Sequence, residues 1–180
     1  MENKAFMKGF TLIELLIVIA LLGALAVGLL AALDPFEQLK KGTDTGVRNT
    51  ASEFHGAVIR YYAIKNMMPW CSDSNCNSYR DGSAEPSATQ LSNLTNTINE
   101  IVSTGELKND FIQLAGSGTL SKIYVTGSNA NATITVCFKP TAKSFINDPN
   151  TKFNNDGTEV TDNSCKSQGG NRLDCYWCIK

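Results

Sequence analysis

The chain has 180 residues, room for one membrane segment and one globular domain of ordinary size but not for two large domains. Charged residues make up only 18% of it and the formal net charge is −1, with no run of Lys or Arg interleaved with aromatics. That balance gives no footprint for a polyanion, so no specific nucleic acid is expected as a partner.

Met1 to Gly9 is short and weakly basic, with Lys4 and Lys8 against Glu2. Leu15 to Leu33 is a run of nineteen residues without a charge. As a helix it would be about 28 Å long, close to the roughly 30 Å hydrocarbon thickness of a bilayer. The flanking lysines should stay in the cytoplasm, which sends everything after Leu33 outside. All six cysteines, at positions 71, 76, 137, 165, 175 and 178, follow the apolar run. Disulfides persist on that side of a membrane, so charge and cysteines predict the same orientation.

A secretory signal peptide is the simplest alternative, and Ala24-Leu25-Ala26 has the small-x-small form that precedes such a cut. The apolar run continues beyond it, however, and Glu14 stands at its start. A plain anchor helix leaves Glu14 equally unexplained. An acidic group inside the hydrocarbon costs on the order of 3 kcal/mol near the centre and less toward the edge, so it needs a partner. No Lys or Arg lies between Phe10 and Leu33. A cut after Gly9 would create an α-amino group on Phe10, one helical turn from Glu14.

The stretch Lys8-Gly9-Phe10-Thr11-Leu12-Ile13-Glu14-Leu15-Leu16 resembles the signal of type IV pilins and type II secretion pseudopilins. The resemblance covers about the first 35 residues. It implies cleavage between Gly9 and Phe10 by a prepilin peptidase, then N-methylation of Phe10. It implies that Glu14 pairs with the methylated amine of a neighbouring subunit during assembly. The expected organisation is a cleaved leader over 1–9, a transmembrane and assembly helix over 10–33, and an exoplasmic head over 34–180. Expected partners are the membrane before assembly, the prepilin peptidase, the inner-membrane assembly machinery, and copies of itself or other pilins. The expected location is the cytoplasmic (inner) membrane, single-pass with the C-terminus outside, and then a cell-surface or periplasmic filament.

Asp34-Pro35 predicts a kink or break near residues 31 to 35. Gly23 and Pro35 frame a stretch that, in pilin filaments, looks prone to melting. Val47, Ala51, Phe54, Val58 and Tyr61 then recur at three- and four-residue steps, the stripe of an amphipathic helix ending near Asn66, before Pro69. Gly42 and Gly46 interrupt it. His55, the sole histidine, reads as a surface or boundary residue with no role.

Residues 71 to 90 read as loop. Ser87-x-x-Gln90 has the form of a capping box opening a short helix, whose buried face is Leu91, Leu94, Ile98 and Ile101 and which Gly105 ends. Lys122 to Thr126 and Thr133 to Lys139 read as strands, with Ala142 to Ile146 a third and Leu173 to Ile179 a closing one. Residues 147 to 172 read as a loop. The resulting class is α+β and pilin-like: one long N-terminal helix, membrane half plus amphipathic half, packed on a small antiparallel sheet. The resemblance implies a ladle shape.

Cys175-x-x-Cys178 lacks the βαβ context of a redox pair, and zinc is disfavoured by compartment. Structural disulfides are the reading of Cys71, Cys76, Cys137, Cys165, Cys175 and Cys178, with Cys71–Cys76 the first pairing and three connectivities open for the rest. In type IV pilins a disulfide commonly closes a C-terminal loop, and Cys165, Cys175 and Cys178 lie in that region. Many pseudopilins hold calcium in such a loop. Asn154-Asn155-Asp156-Gly157, with Glu159 and Asp162, is the segment to consider, but Lys152 and Asn163 stand where an EF-hand needs ligands. No metal site and no cofactor is expected, calcium remaining the one alternative. No His-Glu-x-x-His, Gly-x-Ser-x-Gly or Walker A motif occurs, so no enzyme is expected. The competing class is a signal-anchored extracytoplasmic binding protein, adhesin-like, that does not polymerise.

Overall fold

The structure is a computed structural model that describes residues 9–32, 34–161 and 175–180. The chain divides into two units, Met1–Gln38 and Leu39–Lys180.

Helix α1 spans Leu12–Ala32 and α2 spans Pro35–Lys65, with Asp34 outside helical geometry between them. The break expected from Asp34-Pro35 is there, and it works as a start signal. Asp34 Oδ1 accepts the Glu37 amide at 3.2 Å, a side-chain cap. Pro35 takes the first helical position, where its missing N–H is no loss. At the other end Asn66 turns left-handed, with φ 50°, and α2 stops where the sequence predicts.

The stripe along α2 is buried as its period requires: Val47, Ala51, Phe54, Val58 and Tyr61 lie in one core with residues of every later layer. His55 is a correction. It is 6% exposed, because its place beside Phe54 turns it under the head, and its Nε2 finds no partner among the described residues.

Five strands form one antiparallel sheet in the order β1-β2-β3-β5-β4. They are β1 (Thr89–Gln90), β2 (Ile123–Ser128), β3 (Thr133–Phe138), β4 (Thr151–Phe153) and β5 (Tyr176–Ile179). On β3 the alternation places Ile134, Val136 and Phe138 toward α2. Cys137 points to the other face, where it clusters with Phe153 and Cys178. Gly127 in β2 is required by packing, since a Cβ there would overlap the Trp70 ring.

Three further expectations change. The capping box at Ser87 does not open a helix: Thr89 and Gln90 pair with Val125 and Tyr124, and the Gln90 amide reaches Ser121 O instead. Leu91–Asn93 forms a 3-10 turn, and α3 begins only at Thr95, running to Ser103. Its first amides are capped from a distance, Asn96 N by Asp81 Oδ1 at 2.9 Å and Thr97 N by Asp81 Oδ2 at 2.6 Å. The predicted buried face is nonetheless intact. Gly105 closes α3 with φ 82°, its amide bonding Val102 O while Glu106 N reaches Ile101 O, a Schellman pattern.

Ala142 to Ile146 is not a strand. Two short helices, α4 (Phe111–Ala115) and α5 (Ser117–Leu120), precede β2, and α6 occupies Lys143–Ile146. The cause is Asp44 of α2, which is buried and accepts both the Thr141 and Ala142 amides at 2.7 Å and the Thr141 hydroxyl at 2.9 Å. Those bonds pull the chain back to α2 and start a helical turn there. The loop expected over 147 to 172 contains β4, too short to show a period among its polar neighbours; Asp162 and the rest of that stretch lie outside the described residues. Of the closing strand, Leu173 lies outside them too, and β5 inserts between β3 and β4.

Candidate functional site

Near the N-terminus the described residues begin at Gly9. Gly9, Phe10 and Thr11 are non-helical and exposed, so the Gly9–Phe10 bond precedes the first hydrogen-bonded turn. Phe10 is 77% exposed, and no described residue lies within 4 Å of where a Cβ on Gly9 would sit. A peptidase needs an accessible backbone free of helical hydrogen bonds, and Gly9 to Thr11 are non-helical and exposed.

Thr11 opens α1. Its hydroxyl accepts the Glu14 amide at 3.3 Å, and Glu14 Oε2 accepts the Thr11 amide at 2.9 Å and the Thr11 hydroxyl at 2.7 Å. This is a reciprocal capping box, Thr at the N-cap and Glu three residues on. Among the described residues no cation reaches Glu14, and Oε1 has no partner. The carboxylate also stands at the N-terminal end of the helix, the end at which the macrodipole favours a negative charge.

Beyond Glu14 every described side chain of α1 is exposed, and Leu12–Leu30 is long and apolar enough to cross a membrane. Each Leu, Ile or Val left in water forgoes roughly 1.5–3 kcal/mol of burial. Such a helix must be covered by lipid or by other helices.

Residues 6–30 match the family model of the prokaryotic N-terminal methylation motif. The chain carries the prepilin signal of type IV pilins and pseudopilins. Comparison of the whole chain with curated proteins and with solved structures returned no match. Proteins with this signal are structural subunits; the signal implies processing by a prepilin peptidase, membrane anchoring and assembly with other pilins. The long apolar helix and the five-stranded antiparallel sheet are the α+β, pilin-like architecture.

Thr11 is the residue that composition and charge did not single out. The signal was in plain view, since Thr11-x-x-Glu14 has the form of a capping box immediately before an apolar run. Glu14 is thus a helix cap as well as a charge.

The cysteines all lie in the unit Leu39–Lys180. Cys71 pairs with Cys76, and Cys137 pairs with Cys178 across directly opposed positions of β3 and β5. Cys175 is also disulfide-bonded, while Cys165 lies outside the described residues. Cys178 is therefore no half of a Cys-x-x-Cys redox pair.

In the segment considered for calcium, Asn154 to Thr158 form a tight turn, with Gly157 at φ 85° packed against Thr135. The amide and hydroxyl of Thr158 occupy Asp156 Oδ1 and hold its carboxyl below the usual range. Glu159 bonds Lys152 at 2.7 Å, which lowers its pKa as well. Both carboxylates are already engaged within the chain.

Proposed function

We propose that this chain is the precursor of a filament subunit of a type IV pilus or a secretion-type pseudopilus. It inserts in the inner membrane as a single-pass protein with its C-terminus outside. A prepilin peptidase cuts between Gly9 and Phe10 and methylates the new amine of Phe10. Polymerisation then moves the apolar helix from lipid into a filament core, where Glu14 pairs with the Phe10 amine of a neighbouring subunit. The subunit itself performs no catalysis.

The observation that carries this reading is Glu14: an acid at the head of an exposed apolar helix, beside an accessible Gly-Phe bond, with no cation among the described residues. Thr11 holds Oε2 and leaves Oε1 open to an amine from another chain. Burial of an ion pair in an apolar core is tolerated only when its charges are matched, which makes Glu14 a register device.

Intact mass of the protein from cells with and without prepilin peptidase is the test. The expected result is loss of Met1 to Gly9 and gain of one methyl group only when the peptidase is present. Cleavage after Ala26, or no cleavage in either strain, would sink the proposal. Glu14→Leu should remain membrane-inserted and cleaved yet fail to form filaments; normal filaments from it would contradict the pairing role.

A further inference from the structure

Between the Cys71–Cys76 loop and α3 lies an open cleft of about 460 Å³. Its floor is an ion pair, Arg80 to Glu100 Oε2 at 3.3 Å. Both partners are fixed from behind. The buried Tyr61 hydroxyl donates to Glu100 Oε1 at 2.9 Å, and Arg80 Nε donates to Pro69 O at 3.0 Å. The two charges at the cleft compensate one another.

What remains open on the walls is polar and uncharged. Asn96 and Asn99 project from α3 at three-residue spacing, on the side away from its buried face. Asn96 Nδ2 donates to Arg80 O at 3.2 Å, which leaves its Oδ1 as an acceptor. The Asn99 amide, the Ser72 hydroxyl and the Tyr79 hydroxyl have no partner among the described residues. Together they present donors and acceptors beside one aromatic ring.

The walls are also held in place. A disulfide closes the 71–76 loop, and Asp73 accepts the amides of Asn75 within it and of Asn77 and Ser78 just beyond it. Tyr79 bridges to Cys71, and Asp81 caps α3. A backbone frame ordered before binding does not pay again for its own ordering.

We propose that this cleft binds a neutral saccharide. Each sugar hydroxyl both donates and accepts, which matches amide and hydroxyl walls; a ring face of C–H groups suits Tyr79; and a compensated floor selects against net charge. One or two sugar rings fit the volume. The inference is independent of cleavage and polymerisation, so either can fail without the other.

The test uses the full chain in a zwitterionic detergent without a sugar headgroup, titrated with methyl glycosides and followed by the side-chain amide NMR signals of Asn96 and Asn99. Matched uronic acids and amino sugars form the charged arms. The expected result is saturable shifts with neutral glycosides and weaker ones with both charged arms. Asn99→Leu should weaken binding about tenfold, the value of one or two lost hydrogen bonds. Its melting temperature should stay unchanged, and Asn109→Leu, away from the cleft, should bind as the original does. The proposal is overturned if no neutral glycoside perturbs these amides, if only charged sugars do, or if Asn99→Leu binds unchanged.

Discussion

The two units bury their apolar residues in opposite ways. In Met1–Gln38, Leu21, Leu22, Leu25 and Leu29 are each about 60% exposed, and no described residue covers them. In Leu39–Lys180, Phe54, Tyr61, Ile98 and Val136 are essentially inaccessible. The head buries most of its large apolar side chains in its own core. The apolar helix is satisfied in backbone hydrogen bonds only, and its side chains require a second phase, lipid or other helices. The same amino-acid types therefore act as core in one unit and as interface in the other.

Substitutions can sharpen that contrast. The largest effect belongs to Phe54→Ala, which opens a cavity in the head and should cost about 3–5 kcal/mol in urea unfolding of the full chain. Leu22→Ala in the apolar helix should leave the head's unfolding within about 0.5 kcal/mol. An equal loss from both would break the division into two units.

Next comes the covalent clamp across the sheet. The Cys137–Cys178 bridge spans a sequence separation of 41 and Cys71–Cys76 one of 5. On chain entropy alone, the double variant Cys137→Ala/Cys178→Ala should lose about 4 kcal/mol, against about 2 kcal/mol for Cys71→Ala/Cys76→Ala. Denaturant midpoints of the two variants would reveal a reversed order, which would overturn the entropic account.

Asp44→Ala follows, at about 2–3 kcal/mol, because it strands the amides of Thr141 and Ala142 that α2 now satisfies. Amide hydrogen exchange should speed up at residues 141 to 147 before the rest of the sheet. Uniform protection there would show that α6 does not depend on Asp44.

The smallest effects are in pH. Burial pushes the His55 pKa down, so the folded head resists a proton that the unfolded chain takes up near 6.5. Stability is then fully present above that value and falls as pH drops through it. At the alkaline end, burial and the Glu100 carboxylate push the Tyr61 hydroxyl up to about 12. Unfolded tyrosine ionises near 10, so stability should decline as pH rises from about 10 to 12. His55→Gln should flatten the acidic limb of a melting-temperature profile, and Tyr61→Phe the alkaline one. A profile that keeps both limbs would place the titration elsewhere.

Local chemistry made much of this protein legible in its sequence. The apolar run, Glu14 without a cation beside it and the Gly9-Phe10 bond identify the N-terminal segment, since helix length, charge cost and peptide chemistry need no distant residue. The stripe from Val47 to Tyr61, the Gly105 stop and the alternation over Thr133 to Phe138 are equally local, each a period or a backbone conformation written in adjacent positions. What only the tertiary structure decided involves partners far apart in the chain. Asp81 caps α3 from fifteen residues upstream, Asp44 turns Lys143–Ile146 into a helix from nearly a hundred residues away, and β5 takes its place between β3 and β4. His55 is buried for the same reason: its own helix leaves it near the edge of the stripe, and the packing of the head covers it. Sequence spacing determines which face a residue occupies. Only the arrival of other segments determines what that face meets.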